Sequence, residues 1–566
     1  MKKNKKRILI LGAGLMQGPA IRAAKELGCE VVAVDGNPNA VCAKEADKFF
    51  PIDLKDIPAL IDLAKSLKET GLHGVFTAAT DFSVSVAAIA ESCSLPGHSL
   101  EAARRASDKV LMRECFEKHG VPSPKFTHIF KNEIDNAFQI LKQKAIPFPL
   151  TVKPADNMGA RGCRLVYSQD ELRPALEDAV NFSRSGKAIA EEFIDGEEFS
   201  LEALVINGEI FLNALADRHI FFPPYFVEMG HTIPSIKSKE ECDELIRVFF
   251  LGIKALGLTN GAAKGDIFLR KADPQKNGKR TACVGEIAAR LSGGYMSGWT
   301  VPYSSGFDVT KAAVKIALGE PVDELPNSEA SRFSTERAAR FSAERAARFS
   351  AERAWISVPG IIKKIYGLEE ARSTKNVKDV LPRLFEKDET VFPKNNVEKC
   401  GNVLSSAESY DRAVKASMES VQKIFLRLER TYNKTNLFFE KTNPSIAVQG
   451  NYPPNFFKFP EDDSTQEIKN KTFDELLKNS ILMEEDKILY PSFFKDFLDK
   501  AFDVHGLSIR EAIKQAFFLE PKIKEKMLSL QNIGEPLNPN LVLWWKYFIR
   551  GSCQGLIYYL DTELND

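Results

Sequence analysis

Short apolar runs alternate with helical patterns over residues 7–105, and this alternation is the strongest constraint on the fold. The runs RILILGAG, EVVAVDGN and GVFTAAT are typical of buried strands, and GPAIRAAKELG and IPALIDLAKSLKETG between them are typical of amphipathic helices. Strands separated by crossover helices pair in parallel, because each helix returns the chain to the same end of the sheet. The sequence therefore predicts an α/β domain with a parallel sheet in this part of the chain.

The first of these strands leads into a glycine-bearing turn, GAGLMQG at residues 12–18, and Asp35 follows the second strand. Such a turn resembles the fingerprint that binds the pyrophosphate of a dinucleotide, with an acidic residue on the ribose. Its spacing, however, is GxGxxxG instead of GxGxxG. Two interpretations stay open: a nicotinamide-dinucleotide site, and a turn that only joins a strand to a helix.

Charge and cysteine content exclude several classes of protein. The 566 residues carry 77 basic and 77 acidic side chains, so no net field favours nucleic acid or an anionic membrane as a partner. The nine cysteines are scattered without a CxxC pair, which is against a zinc site or a disulfide framework and indicates a reducing compartment. The basic MKKNKKR precedes a run too short and too glycine-broken for a signal peptide or membrane span. We expect a soluble cytoplasmic protein of enzyme size.

A second glycine-bearing loop lies in LTVKPADNMGARGCRLV, residues 150–166. A strand-like run ends at Lys153, and a loop containing Gly159 and Gly162 returns the chain into another apolar run. Glycine lets backbone N–H groups approach a ligand closely, and phosphates are the ligands that most often use such loops. The segment lacks GxxxxGK[ST] and opens into a strand, so it is neither of the familiar phosphate loops. A phosphate-binding loop and a plain hairpin with a surface lysine both remain open.

Two consecutive predicted strands, AAKGDIFLRK and TACVGEIAARLSGG, each carry a carboxylate. If the strands pair, Asp266 and Glu286 face the same side and can hold Mg²⁺, which takes one or two carboxylates together with substrate phosphates. Arg290 lies four residues beyond Glu286, where its guanidinium can bind a phosphate through two N–H groups. Each of these residues alone is more often a solvated charge on a strand.

The order of these features along the chain resembles the ATP-grasp superfamily over residues 5–428. The matching segments are SDKVLMRECFEKHGVPSPKF, FPLTVKPADNMGARGCRLV, AEEFIDGEEFSLEALV, AAKGDIFL and VGEIAARLSGG. Within the superfamily the chain resembles the carboxylate–amine ligase branch, which includes amino-acid ligases and glycinamide-ribonucleotide-synthetase-like proteins. The resemblance implies an α/β (α+β) fold with a Rossmann-like N-terminal domain, ATP-grasp subdomains and a small C-terminal lobe; an extra, mainly helical C-terminal domain lies outside it.

The resemblance implies a set of nucleotide contacts. Lys109 and Lys153 match the two lysines that contact the nucleotide phosphates, and residues 157–162 match a mobile lid that closes over them. The lid residues implied are Asn157, Gly159, Ala160, Arg161 and Gly162. Glu191, Glu192 and Phe193 match the hinge at the adenine, and Glu198 matches the acid that binds the ribose. The cofactors implied are ATP and Mg²⁺, with Mn²⁺ as an alternative ion.

The resemblance also assigns the reacting centre. Asp266 and Glu286 match the magnesium ligands, and Arg290, with Lys153 and Glu286, matches the residues that act on the transferred phosphate. One position departs from the usual E-x-N metal pattern, because Ala288 stands where an asparagine ligand is expected, and this leaves the binding of a second Mg²⁺ open. The substrate candidates are Glu228, His231, Gly293 and Gly294, of which His231 either shuttles a proton or only holds a loop in place.

Two segments lie outside the resemblance. From residue 332 the octad RF-S-[TA]-ERA-[AW] occurs three times, and its good helix formers and i,i+4 Glu–Arg pairs predict a solvated helical insertion over 331–354. A docking helix for an acidic partner is the alternative. Residues 429–566 contain a cluster of aromatic residues that can form a helical core, a dimer surface or a cap over the substrate pocket. The predicted domains are 1–106, 107–186, 187–330, 331–354, 355–428 and 429–566.

The function implied is an ADP-forming ligase. ATP would phosphorylate a small carboxylate, an amine would attack the acyl phosphate, and an amide would form. Expected partners are small carboxylates and amines, without nucleic acid or membrane, and the chain is compatible with a homodimer. The alternatives are a biotin-carboxylase-like or glycinamide-ribonucleotide-synthetase-like enzyme, a nicotinamide oxidoreductase, and a nucleotide-binding protein without catalysis.

Overall fold

The computed structural model describes residues 5–272, 278–323, 325, 348–440, 452–460, 471, 473–483, 487–531 and 538–563. The described residues divide into two compact units. The first unit contains the chain up to His219 together with Gly230–Glu352 and Ser406–Ala413, and the second contains Ile220–Met229, Arg353–Ser405 and the chain from Val414. Among the described helices, none is both long and apolar enough to cross a bilayer. All nine cysteines are described and are free thiols.

The parallel sheet predicted near the start of the chain is confirmed. In spatial order its strands are Lys48–Phe50, Glu30–Val34, Arg7–Leu11 and Leu72–Phe76, all parallel. Residues 8–11 have no exposed surface, as expected for a parallel strand with both faces covered. The helices of this domain are Gly18–Glu26, Ile57–Glu69, Ser83–Ser92 and Leu100–Ser107, with short 3₁₀ turns at Leu15–Gln17 and Ala43–Glu45.

The chain's own side chains fill the turn at residues 12–18. Asp35 Oδ2 accepts a hydrogen bond from the backbone N–H of Ala13 at 2.9 Å. Gln17 donates from Nε2 to the carbonyl of Ala78 at 2.5 Å, and its Oε1 accepts from the N–H of Gly14 at 3.1 Å. The N–H groups that a dinucleotide would need already have internal partners, which favours the interpretation as a structural turn.

An antiparallel sheet follows in the predicted small subdomain. Its strands, in spatial order, are Phe126–Phe130, Lys187–Glu192, Leu150–Pro154 and Arg164–Val166. The accompanying helices are Lys109–His119, the 3₁₀ helix Lys131–Asn136, Ala137–Gln143 and Gln169–Phe182. Asp108 caps the first of these helices: its carboxylate accepts from the N–H groups of Val110 and Leu111 at 2.8 and 3.2 Å.

A larger antiparallel sheet forms the rest of the first unit. The first four of its eight described strands, in spatial order, are Ala282–Ala288, Gly261–Arg270, Gly196–Ile206 and Glu209–Phe221. Helix Lys239–Leu256 begins at a capping box formed by Ser238 and Glu241 and buries its apolar face in the same core. The π-helical segment Met296–Thr300 and the helices Val301–Ser305 and Val309–Ala317 follow the last strand.

The predicted helical insertion over 331–354 is wrong for the third octad. Residues 326–347, which hold the first two copies, lie outside the described residues. The third copy forms the strand Phe349–Trp355, in which residues 350–355 are buried. Burial of a continuous run favours an extended strand, and it overrides the helix propensity of glutamate, arginine and alanine.

The second unit combines the predicted lobe with the C-terminal segment. Its strands are Gly360–Tyr366, Val377–Pro382, Glu389–Thr390, Phe425–Leu428, Phe457–Lys458, Ser480–Met483, Ile488–Pro491 and Phe502–Asp503. Its helices are Leu368–Arg372, Asn433–Glu440, Phe473–Leu476, the 3₁₀ turn Ser492–Phe494, Ile509–Leu519, Lys522–Ser529 and Pro539–Glu563. Strands Val227–Ile233 and Gly401–Ala407 and helix Tyr410–Val421 run from one unit into the other along the chain.

The aromatic residues of the C-terminal segment form a core. Trp544, Trp545, Phe548, Tyr558 and Tyr559 are each at most 1% exposed. They belong to one cluster of buried residues that also includes residues from the predicted lobe at 355–428. Of the three interpretations for these aromatics, the core is therefore confirmed, and packing does not separate the chain at residue 428.

Candidate active site

The strands Gly261–Arg270 and Ala282–Ala288, called here the metal strands, pair as predicted. They are antiparallel, and Asp266 lies directly opposite Glu286 in their register. Residues opposite each other in an antiparallel pair project from the same face with their Cβ atoms about 5 Å apart. The two carboxylates expected to hold Mg²⁺ are thus brought together by strand register.

Glu286 is held in its ionised form by lysines. Its side chain is 36% exposed, and Oε1 lies 3.4 Å from the ammonium of Lys109. Burial alone would raise the pKa of Glu286, but the charges of Lys109 and Lys264 outweigh it and lower the pKa to about 2. A carboxylate that is charged at neutral pH and still open to solvent is a suitable ligand for a divalent ion.

Asp266 lies in a cluster with two cations that the sequence did not single out. Its Oδ1 is 2.6 Å from Nη1 of Arg218, and its Oδ2 contacts the ammonium of Lys264. Arg218 also contacts Glu198, the residue matched to the ribose acid. Arg218 therefore links the predicted ribose position to the predicted metal position. It lies on a different strand from both, so no local sequence pattern indicated it.

The two predicted phosphate lysines have different partners. The ammonium of Lys109 is buried and donates to the backbone carbonyl of Asn157, at the start of the lid, at 2.8 Å. Burial acts to lower the pKa of Lys109, but Glu286 and other nearby acids raise it above its ordinary value. Lys153 Nζ lies 2.7 Å from Oε2 of Glu191. Both lysines are thereby positioned by groups within the site.

Glu191 is a buried ion-pair partner, so its side chain cannot reach an adenine ring. It is 1% exposed and accepts from Nε of Arg113 at 2.7 Å in addition to Lys153. Burial acts to raise its pKa, but Arg113 and Lys153 hold that pKa below the ordinary value. The predicted hinge contact at this position can come only from the backbone. Glu192 pairs with Arg270 at 2.9 Å, and the half-buried Phe193 follows the strand end.

The loop predicted to act as a lid, residues 157–162, lies between two paired strands, Leu150–Pro154 and Arg164–Val166. Gly159, Ala160 and Gly162 have φ of 70°, 59° and 69°, the left-handed region that favours glycine. Asn157 fixes the start of the lid by donating from Nδ2 to the carbonyl of Phe182 at 2.7 Å. Arg161 donates from Nε to the carbonyl of Met158 at 3.1 Å. The predicted loop between two strands is confirmed, and three of its six residues have left-handed backbone.

Gly162→Ala is expected to raise the KM for ATP about tenfold, because left-handed backbone costs a non-glycine residue about 1–2 kcal/mol. A Cβ on Gly162 would also lie 2.9 Å from Cδ2 of Phe182 and 3.0 Å from Cγ of Pro154. Gly208→Ala is the matched control: its φ is 81°, but a Cβ there meets nothing within 4 Å. Equal KM values for ATP in the two variants would contradict a lid role for Gly162.

A carboxylate that sequence reasoning missed, Asp81, lies among the charges of this site. It follows the strand Leu72–Phe76, and its electrostatic neighbours are Arg290, Lys109 and Glu286. Burial raises the pKa of Asp81 above its ordinary value, although Arg290 and Lys109 act in the opposite direction. Only its place on a loop after a parallel strand, where ligands commonly bind, could have indicated it.

The loop that carries Asp81 docks on the loop that carries Arg290. The backbone N–H of Ala79 donates to the carbonyl of Leu291 at 3.3 Å. Gly293 also lies beside Ala79, because a Cβ built on Gly293 would be 3.7 Å from that of Ala79. Gly294 has φ of 61°. Among the described residues, the buried Nε of Arg290 has no hydrogen-bond partner, and this fits an anion that is bound there during function.

The remaining substrate candidates are Glu228 and His231, on the strand Val227–Ile233. The backbone N–H of Glu228 donates to Oδ1 of Asn396 at 2.8 Å, and its carbonyl accepts from Lys399 at 2.8 Å. His231 is 1% exposed; Nε2 lies 2.6 Å from Oγ1 of Thr300. Its Nδ1 lies 3.4 Å from the carboxylate of Glu352. These contacts are compatible with both roles considered for His231.

Comparison with family models agrees with this geometry. A model described as ATP-grasp domain matches residues 106–290, which contain the lysines, the lid and both metal strands. A model described as ATP-grasp N-terminal domain matches residues 21–97. The chain therefore contains an ATP-grasp domain and an ATP-grasp N-terminal domain. A third model, L-amino acid ligase C-terminal domain 2, matches residues 354–429 and fits the carboxylate–amine ligase branch.

Two carbamoyl phosphate synthase sequences are similar to large parts of this chain. The carbamoyl phosphate synthase large chain of Archaeoglobus fulgidus is 26% identical over 330 residues, which cover 54% of this chain and 28% of that one. The C-terminal section of the same protein from Methanocaldococcus jannaschii is 27% identical over 353 residues, 57% of this chain and 52% of that one. The chain thus spans about a quarter to about half of these relatives.

A solved structure gives the same fold. The L-amino acid ligase from Bacillus licheniformis superposes with a TM-score of 0.61 at 23% identity, over 76% of this chain and 100% of that one. Phosphoribosylglycinamide synthetase from Anaerococcus prevotii gives a TM-score of 0.55 at 24% identity, over 75% of this chain and 100% of that one. At these identities the likeness establishes the fold.

Proposed function

We propose that the chain is an ATP-dependent carboxylate–amine ligase that forms an amide through an acyl phosphate and releases ADP and phosphate. The observation that carries this proposal is the pair Asp266 and Glu286, opposite each other in register, with Lys109 beside Glu286. Two carboxylates and a lysine in this arrangement suit the transfer of a phosphoryl group, in which charge must be neutralised and the reactants aligned.

Each residue of the site would have a separate role in that reaction. Asp266 and Glu286 would hold Mg²⁺, which neutralises charge on the transferred phosphate when it is bound. Lys109 and Lys153 would bind the nucleotide phosphates, and the backbone of the lid would exclude water from them. Arg290 would stabilise the phosphate at the reacting carboxylate, because the buried Nε of its guanidinium lacks another partner among the described residues.

The substrates belong to the same proposal. The match of residues 354–429 to an L-amino acid ligase domain favours an amino acid as the carboxylate. Glu228 and His231 are candidates for recognising its α-amino group. Small-molecule partners, a cytoplasmic location and assembly as a homodimer are further parts of the proposal, supported by the scattered cysteines and by the classes of relative.

Phosphate release from ATP and Mg²⁺ tests the proposal. The purified chain is incubated with pooled amino acids or small carboxylates, each with and without pooled amines, and products are identified by mass spectrometry. Release that requires one carboxylate and one amine, with an amide as product, is the expected result. Release driven by bicarbonate alone would indicate a carboxylase, and ATP binding without release in any pool would contradict the ligase.

Asp81→Asn is expected to lower kcat/KM for the amine about 100-fold and to leave the KM for ATP unchanged. An amine must lose a proton when it attacks the acyl phosphate, and Asp81 is a carboxylate near Arg290 whose pKa is raised by burial. The exposed Asp62, on helix Ile57–Glu69, provides the matched control Asp62→Asn. An unchanged kcat/KM for the amine, or an equal loss for ATP, would remove Asp81 from the proton transfer.

A further inference from the structure

A lysine on the metal strands lies across from the missing asparagine ligand. In their register Lys264 is directly opposite Ala288, just as Asp266 is opposite Glu286. Residues two apart on a strand, and residues opposite each other in an antiparallel pair, project from the same face. Lys264, Asp266, Glu286 and Ala288 therefore form a square on one face of the sheet, with the lysine and the alanine on the same side of the square.

The ammonium of Lys264 is held at the carboxylates of this square. It forms an ion pair with Oδ2 of Asp266, and its side chain is only 15% exposed. On the neighbouring strand Lys264 lies opposite Glu202, which is fully buried. Because acids lie on both sides of the lysine, its positive charge is fixed beside the two predicted metal ligands.

The side chain at position 288 has no atom that can coordinate a metal. An asparagine oxygen would lie across from position 264, but the methyl group of Ala288 has no lone pair. A divalent ion at this end of the square would also be repelled by the adjacent ammonium, since like charges a few ångströms apart interact strongly in a partly buried site. Two independent features, the missing ligand and the added cation, thus disfavour a second ion at the same place.

We propose that Lys264 supplies the positive charge of a second divalent ion, so that one ion, held by Asp266 and Glu286, is sufficient for the reaction. This inference rests on the proposed ligase function. The ammonium of Lys264 neutralises charge on the phosphate oxygens during transfer, as lysines do at other phosphoryl-transfer sites. It takes no part in bond making and exchanges no proton.

The number of bound ions tests this inference without turnover. Mn²⁺ binding is titrated by electron paramagnetic resonance on the full chain, with saturating β,γ-imido analogue of ATP and no carboxylate or amine. We expect one ion per wild-type chain and one ion in Ala288→Asn, because the ammonium still opposes a second ion. The double variant Lys264→Gln with Ala288→Asn is expected to bind two.

Turnover gives an independent readout on the same variants. Lys264→Gln is expected to lower kcat about 100-fold. At high Mg²⁺ the kcat of the double variant is expected to be about tenfold higher than that of Lys264→Gln. Lys239→Gln is the matched control, because Lys239 is exposed and pairs with Asp243 on the helix Lys239–Leu256; it is expected to change neither ion number nor kcat. Circular dichroism establishes that each variant is folded.

Several outcomes would overturn the inference. Two ions in the wild-type chain or in Ala288→Asn would show that Lys264 does not exclude the second ion. One ion in the double variant would show that Lys264 and position 288 do not control the number of ions. Absence of ligase activity in every substrate pool, together with one ion per wild-type chain and two in the double variant, would instead reject only the proposed function.

Discussion

Glu286→Gln is expected to lower kcat at least about 100-fold, while the chain stays folded and still binds ATP. The substitution keeps the size of the side chain and removes its charge. Glu286 lies opposite Asp266, and its Oε1 is 3.4 Å from Lys109, so it balances the positive charge of the phosphate-binding lysine and offers a ligand for Mg²⁺. Losing one such electrostatic contact to the transferred phosphate typically costs on the order of 3 kcal/mol of transition-state stabilisation.

The measurement is steady-state ADP formation at saturating ATP, together with the Mg²⁺ concentration that gives half-maximal rate. We expect that concentration to rise at least tenfold. Removing a residue that only hydrogen-bonds to a metal ligand typically weakens metal binding by 10- to 100-fold, and removing a ligand itself should weaken it at least as much. Glu101→Gln is the matched control, because Glu101 is 74% exposed and pairs with Arg105 on the helix Leu100–Ser107. Wild-type turnover in Glu286→Gln would contradict the assignment of the metal site.

Strand register is the part of the site that the sequence predicted best. Asp266 lies on a run with two-residue alternation. Once that run pairs with the run that carries Glu286, the side chains that share a face follow from the two-residue period of a strand. The lid was predicted as a loop between strands for a similar reason, because Lys153 ends one apolar run and a second run begins after Gly162. These predictions needed only local pattern and one pairing.

The charged partners of the site could not be predicted in this way. Arg113 lies on a helix, Arg218 on a neighbouring strand and Asp81 on a loop of the parallel-sheet domain. Each reaches the site only through tertiary packing, and no spacing in the sequence distinguishes it from a solvated surface charge. The buried ion pair of Glu191 could not be predicted for the same reason, because it depends on Arg113, 78 residues away.

The third octad shows how tertiary burial overrides local propensity. Its residues favour a helix in isolation, yet Glu352 and Arg353 are 1% and 7% exposed within the strand Phe349–Trp355. An exposed helix gains from i,i+4 pairs only a few tenths of a kcal/mol each, whereas burying apolar side chains gains more than that per residue. The helix propensity of the third octad therefore does not determine its secondary structure by itself.

Arg113→Met is expected to lower the free energy of unfolding of the first unit by about 3 kcal/mol, because it leaves a buried carboxylate without its main partner. The guanidinium of Arg113 is 1% exposed; its Nε donates to Glu191 at 2.7 Å and its Nη2 donates to the carbonyl of Gly285 at 2.6 Å. Methionine fills much of the same volume without charge, so the loss reports on the ion pair more than on packing. Lys153 remains beside Glu191 and limits the loss.

Differential scanning calorimetry of the full chain measures this change, because the two units need not unfold in one step. The first unit has roughly 350 residues, and at an unfolding entropy of about 2.1 cal/mol/K per residue a loss of about 3 kcal/mol corresponds to a Tm lower by about 4 °C. Arg173→Met is the matched control: Arg173 and its partner Asp135 are 56% and 86% exposed, so the Tm should stay unchanged. Since Arg113 also fixes Glu191, and Glu191 fixes Lys153, the folded variant should bind ATP more weakly at temperatures well below its Tm. An unchanged Tm together with unchanged ATP affinity would mean that Lys153 alone is sufficient to balance Glu191.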